Sequence, residues 1–223
     1  MTQTDPIPLY CDIEQKIVDG VVVAFPAINI DTDAIFPKQF LKTIKRTGLR
    51  DALFADWRRG DDNTPNPNFV LNRPDFQSSK ILIGGDNFGC GSSREHAVWA
   101  LRDFGIRALI STSYGSIFQN NCIKNGIWPL TVNPHDLERL IKRSVCEQPR
   151  KLTLDLAKLL IFPGDGTSII ASVSASDHAN LLSGLDEIDL TLQKFDDIKA
   201  FEEQQSTRFP WVATQSIDNA RCI

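Results

Sequence analysis

The chain has 223 residues, 42% of them hydrophobic, and a formal net charge of -4. That length buries a core without a metal or disulfide staple, and an acidic balance without a sustained Lys/Arg run excludes nucleic acid as the natural partner. No stretch approaches the ~18 apolar residues of a membrane span, and the Met-Thr-Gln-Thr-Asp-Pro start has neither the basic nor the apolar region of a secretory signal, so a cytoplasmic protein without membrane association is expected.

In chain order, residues 18–25 read as a turn running into a buried strand, followed by Pro26 and the polar loop Asn29-Ile30-Asp31-Thr32-Asp33. Residues 37–42, with proline at the first turn, predict a short helix, and 50–59 another that carries Leu53, Phe54 and Trp57. The run 61–68 has no apolar residue to bury and predicts an exposed loop, either a plain connection or a segment facing substrate or partner. Ile81-Leu82-Ile83 then feeds, as a strand, the turn Gly84-Gly85-Asp86-Asn87-Phe88-Gly89-Cys90-Gly91-Ser92-Ser93-Arg94-Glu95-His96. Ala97, Ala100, Leu101 and Phe104 follow at helical spacing, and Gly105 ends that helix.

Strand and helix alternate onward: a strand at 106–110, a helix at 116–124 closed by Asn125-Gly126, a strand at 127–132, and a helix at 134–143 with Leu137, Leu140 and Ile141 on one face. Residues 151–156 switch to period two, and with 159–162 and 168–171 around the turn Pro163-Gly164-Asp165-Gly166 they predict a meander of short strands. Two helices are expected over 177–205, the second with a core stripe of Ile188, Leu192, Phe195, Ile198 and Phe201. No repeat or low-complexity linker divides the chain, so one domain over 1–223 is expected, with the exposed loop near 60–68 and a C-terminal tail from 206 containing Phe209-Pro210-Trp211-Val212.

The glycine-rich turn concentrates the chemistry. Ser92-Ser93-Arg94-Glu95 has the spacing of a capping box, which places Ser92 at a helix start where unpaired N–H groups and the positive end of the macrodipole favour an anion. Arginine in that first turn is unfavourable unless an anion is present. Gly84, Gly85, Gly89 and Gly91 add a freedom of close approach that a helix cap alone does not require. The turn has neither the G-x-G-x-x-G of a dinucleotide site nor the Gly-Lys-Ser/Thr of a P-loop. The G-x-S-x-G elbow is missing as well, and His96, four residues past Ser92, reads as a structural histidine and not a general base. The five cysteines (Cys11, Cys90, Cys122, Cys146, Cys222) are scattered without a C-x-x-C pair, so reduced thiols and no metal site of the chain's own are expected, with Cys90 a packing residue.

The run from Asp86 through Ala97 resembles the small subunits of isopropylmalate isomerase (3-isopropylmalate dehydratase), within the aconitase superfamily. The resemblance extends to Asn29-Ile30-Asp31-Thr32-Asp33-Ala34-Ile35, Pro37-Lys38-Gln39-Phe40-Leu41-Lys42, Asn120-Asn121-Cys122-Ile123-Lys124-Asn125-Gly126 and Phe209-Pro210-Trp211. It implies an α/β swivelling domain, a layered β/β/α fold with a barrel-like sheet. It also implies a heterodimer with a large subunit that carries a 4Fe-4S cluster, this chain binding none, and a small hydroxy-acid substrate isomerised by dehydration and rehydration in leucine biosynthesis. Ser92 is then the base that takes the carbon-bound proton, Ser93 and Arg94 bind substrate and stabilise the alkoxide, Asp33 orients the serine or a water, and Lys45 or Arg46 contacts a carboxylate. A related hydro-lyase of the superfamily, acting on homoaconitate or citramalate, and a non-catalytic anion-binding module are the alternatives.

Overall fold

The computed structural model describes residues 16–42, 44–60, 62–146, 150–185 and 187–211. Cys11, Asp61, Val212 and Cys222, named above, lie outside them. The chain divides after Gly184 into two compact units.

In the first unit, β1 (Ile17–Phe25) leads through α1 (Thr32–Ile35), α2 (Ala55–Arg58) and a series of 3-10 turns to β2 (Ile81–Gly84). Then come α3 (Glu95–Phe104), β3 (Ala108–Ser111), α4 (Ser116–Lys124), β4 (Trp128–Thr131) and α5 (Pro134–Cys146). The unit closes with β5 (Lys151–Asp155), β6 (Leu160–Phe162), β7 (Ile169–Ile170) and α6 (Ala175–Ser183).

One seven-stranded sheet runs in the order β4-β3-β2-β1-β5-β6-β7. The long β1 joins two kinds of pairing: Val22 to Phe25 run parallel to β2, whereas Ile17 to Val21 run antiparallel to β5. The parallel half holds β2, β3 and β4 connected through helices, and the antiparallel half is the meander β5-β6-β7. The sheet curls until its far edges touch, where Thr131 and Ser172 exchange N–H···O bonds of 2.9 and 2.8 Å. That closure makes the half-barrel.

Alternation along the strands separates two cores, because successive side chains leave a strand on opposite faces. Val23, Leu82 and Leu109 pack with α3, α4 and the aromatic residues Phe25, Phe36, Phe54 and Phe76. Val22, Ile81, Ile83, Ala108 and Ile110 fill the other face with Leu152, Leu154, Ile161, Leu140 of α5 and Leu181 of α6.

Three expectations need correction. The helix expected over 37–42 is a 3-10 turn, Lys38–Phe40. The helix expected over 50–59 breaks at Phe54, which adopts φ 50 between the turn Arg50–Ala52 and α2. The break is held by tertiary contacts: Phe54 donates its N–H to the Ile35 carbonyl at 2.8 Å and stacks its ring on Phe25 and Trp57 at 5.0 and 5.5 Å. The third correction concerns the C-terminal segment, where α6, α7 (Glu187–Leu192) and α8 (Phe195–Arg208) replace the two helices expected. The apolar stripe is divided, with Ile188 and Leu192 on α7 and Phe195, Ile198 and Phe201 on α8, and all five are exposed instead of forming core. Helical spacing gives a shared face only while the helix is continuous, and Gln193-Lys194 interrupt it.

The loop after β2 and the loop before α4 meet with no side chain between them. Gly89, at φ +71, would place a Cβ 2.2 Å from the Phe118 ring, and a Cβ on Gly115 would lie 2.5 Å from the Gly89 carbonyl oxygen. A Gly89→Ala change combines a left-handed backbone penalty with overpacking of a buried ring, an expected loss of about 2–4 kcal/mol. Thermal unfolding checks this, with a midpoint lowered by about 5–15 °C at this chain length.

Candidate active site

The parallel strands β1, β2 and β3 deliver their following loops to the carboxyl end of the sheet, the place where α/β proteins hold ligands. The loops after β1 and β2 are stitched together rung by rung. Asn29 donates its N–H to Asp86 O at 2.9 Å, Gly89 to Ile30 O at 2.7 Å, and Thr32 to Cys90 O at 2.9 Å, so that Asp31 and Cys90 pair like strand residues. Side chains add to the ladder. Asn87 Nδ2 donates to Asn29 Oδ1 at 2.8 Å, both residues having left-handed backbones at φ 55. From the third loop, the hydroxyls of Thr112 and Ser113 donate to Asp86 Oδ1 at 2.7 and 2.6 Å, and these bonds hold the Asp86 carboxyl below the usual carboxylate range.

On this frame Asp33, Ser92 and Arg94 converge. Asp31 caps α1 by accepting from Ala34 N at 2.7 Å, which leaves the Asp33 carboxylate, in the first turn, free to accept from Arg94 Nη1. The guanidinium is mostly buried and the Asp33 carboxylate half-exposed, so the ion pair lies along the wall of the site with one edge toward solvent. Ser92 and Ser93 are exposed. The Ser92 carbonyl turns inward and accepts from the buried Thr32 hydroxyl at 2.8 Å.

The capping box does not form. Helix α3 starts at Glu95 with Arg94 in extended backbone as its cap residue, whose side chain makes no capping bond, so Ser92 stands in the loop ahead of the helix. Glu95, which would reach back to the serine, is engaged elsewhere: its Oε1 accepts from Asn125 Nδ2 at 2.9 Å. Asn125 is itself buried and anchored, accepting from Trp99 Nε1 at 3.1 Å and donating to Asn121 O at 2.8 Å. Within the first turn of α3, Ala97 donates its N–H to the Arg94 carbonyl at 3.2 Å.

The His96 ring lies 5.6 Å from Phe36 and 4.6 Å from Trp99 between centroids. Arg46 extends over Trp99, 5.0 Å from the ring centroid, which ties the exposed 44–48 segment to α3 four residues beyond Glu95. Lys45 is exposed in the same segment. Asn125, read from the sequence as a residue that fixes a loop beside the site through side-chain to backbone bonds, makes such a bond to Asn121 O, whereas the hydroxyl bond of Thr32 and the pairing of Glu95 with Asn125 were not foreseen.

Among the described residues, no three of His, Cys, Asp and Glu group for a metal. Cys90 is half-buried in the loop, whereas Cys122 lies in the core, where burial pushes its thiol well above the ordinary range. A buried neutral thiol and a solitary loop thiol do not fit the thiolate set of an iron–sulfur cluster. The groups at the site, a guanidinium beside two exposed hydroxyls, suit a carboxylate instead.

A half-barrel sheet whose loop end carries Ser-Ser-Arg against a Thr-Asp pair is the swivelling domain of the aconitase superfamily, and residues 15–135 match the model of the aconitase C-terminal domain. Residues 187–215 match the C-terminal domain model of 3-isopropylmalate dehydratase small subunits. The chain belongs to the 3-isopropylmalate dehydratase small-subunit family. It is 54% identical to the small subunit of Sinorhizobium medicae and 53% identical to that of Rhizobium meliloti, each over 86% of this chain and 96% of the relative. The small subunit of Agrobacterium fabrum is 50% identical over the same shares. A solved 3-isopropylmalate dehydratase of Methanocaldococcus jannaschii superposes with a TM-score of 0.58 at 27% identity, over 83% of this chain and 99% of that one.

Proposed function

We propose that this chain is the small subunit of a hydro-lyase that interconverts 2-isopropylmalate and 3-isopropylmalate through 2-isopropylmaleate, the isomerisation step of leucine biosynthesis, in a heterodimer with a separate large subunit. The curated relatives at about half identity carry the small-subunit name of this enzyme, which disfavours a related hydratase as the alternative. In this reading the large subunit carries the 4Fe-4S cluster, whose Lewis acidity assists departure and return of the substrate hydroxyl.

The observation that carries the reading is the convergence of an exposed Ser92 with the Asp33–Arg94 pair on a rigidly stitched loop. Ser92 Oγ takes the carbon-bound proton as the hydroxyl leaves the neighbouring carbon, giving the alkene. Returned to the carbon that lost the hydroxyl, as hydroxyl adds to the carbon that lost the proton, the same proton yields the isomer. A serine hydroxyl is too weakly acidic to be a base unaided, so the alkoxide depends on the Arg94 guanidinium and the N–H groups of the turn ahead of α3. Arg94, held by Asp33, has its remaining N–H donors for one substrate carboxylate, and Lys45 or Arg46 serves the second. Ser93 contributes its N–H and hydroxyl to the same carboxylate.

Co-expression with a large subunit from the same source tests the division of labour. The expected result is a co-purifying, iron-bearing pair that converts 2-isopropylmalate, while this chain alone converts none. Turnover by the isolated chain overturns it, and a pair preferring homoaconitate or citramalate redirects the substrate assignment.

A further inference from the structure

Thr32 lies between Asp31, which caps α1, and Asp33, which holds Arg94, and its own polar groups are all engaged. It is 1% exposed. Its N–H donates to Cys90 O at 2.9 Å, its carbonyl accepts from Phe36 N at 3.0 Å, and its hydroxyl donates to Ser92 O at 2.8 Å across 60 positions of sequence. The cap of α1 needs none of this, since Asp31 supplies it. Gly91, at φ +91, rests on the same side chain: a Cβ there would be 3.4 Å from Asp31 Cβ and 3.7 Å from Thr32 Oγ1. The loop is thus seated on Thr32 immediately before Ser92.

We propose that Thr32 is a positioning residue for the base, orienting the Ser92–Ser93 peptide plane through its buried hydroxyl. The peptide is planar and trans, so the Ser92 C=O and the Ser93 N–H point in opposite directions. Anchoring the carbonyl inward on Thr32 turns the Ser93 N–H toward the exposed side, where the Ser92 and Ser93 side chains stand. That N–H becomes a fixed donor for the negative charge that develops there, and preorganised donors of this kind need no reorientation during the reaction. Without the anchor the plane rotates, and both the donor and the Cα–Cβ direction of Ser92 drift. The inference rests on Ser92 being the base.

The test uses the enzyme assembled with its large subunit. Thr32→Val keeps the buried volume and deletes the hydrogen bond. The expected result is a fall in kcat of about 10–100-fold, with KM changed no more than about threefold, since misplacement of a reacting group acts on the transition state. Thr32→Ser restores the hydroxyl and recovers kcat to within a few-fold. Added to Ser92→Ala, Thr32→Val produces no further loss, because its effect passes through Ser92. If valine prevents assembly, Thr32→Cys, a poor donor of similar size, replaces it in the same comparison. A kcat unchanged in Thr32→Val, or a loss that serine does not rescue, overturns the positioning role while leaving Ser92 as base intact. Full turnover in Ser92→Ala alone overturns the base, and the positioning role with it.

Discussion

Replacement of Ser92 by alanine is expected to lower kcat of the assembled enzyme by about 10³-fold or more, equivalent to about 4 kcal/mol of transition-state stabilisation. The change removes one oxygen from an exposed position, and the loop is held by contacts that do not involve that oxygen: the Thr32–Ser92 carbonyl bond, the Thr32–Cys90 backbone bond and the Gly89–Ile30 backbone bond. Folding and pairing with the large subunit should therefore be unaffected, and the melting temperature of the variant should match that of the unaltered chain. Steady-state kinetics together with a melting curve checks both halves. Retention of turnover within a few-fold, with the fold intact, would remove Ser92 from the mechanism.

The second large effect is expected at Arg94. Arg94→Lys keeps the positive charge but should reduce kcat/KM by about 10²–10³-fold. The guanidinium has to serve two acceptors, with Nη1 committed to Asp33 and the other donors left for the substrate or the alkoxide. An ammonium group is a point charge on a flexible stem and cannot reproduce that planar fork. Lysine bound to Asp33 leaves the substrate carboxylate unpaired, and lysine turned to the substrate leaves the Asp33 carboxylate without its partner. Measured kcat and KM distinguish this from a change in charge alone: loss in both parameters is expected, whereas a rise in KM with kcat unchanged would restrict Arg94 to ground-state binding.

The strands and most helices of the first unit were legible from periodicity. The runs at 81–83 and 151–156, and the helical stripe Ala97, Ala100, Leu101 and Phe104, each report a buried face on a regular element, and they appear as β2, β5 and α3. The exposed loop near 60–68 was legible from its lack of anything to bury, and its described residues are nearly all exposed. Local pattern was a poorer guide where a tertiary contact outweighs propensity. Phe54 takes a left-handed backbone because its ring and its N–H are both satisfied by distant residues, which no window around position 54 contains. The serine-to-glutamate spacing satisfied a capping box on paper, yet Glu95 is drawn to Asn125, 30 positions away, and the helix starts later.

What the sequence by itself determined is the chemistry on offer: a glycine-rich strand-to-helix turn with two serines and an arginine, a Thr-Asp pair upstream, and a motif run that belongs to one family. Those properties reside in residue identity and short spacing, which are written directly in the chain. Only the tertiary structure decided which of these groups face one another. The partnership of Asp33 with Arg94 spans 61 positions, and the bond from Thr32 to the Ser92 carbonyl spans 60. Both arise because β1 and β2 pair in parallel and bring their loops to the same end of the sheet. A parallel pairing of distant strands is settled by burial of both sheet faces at once, a collective packing outcome that no local stretch of sequence expresses.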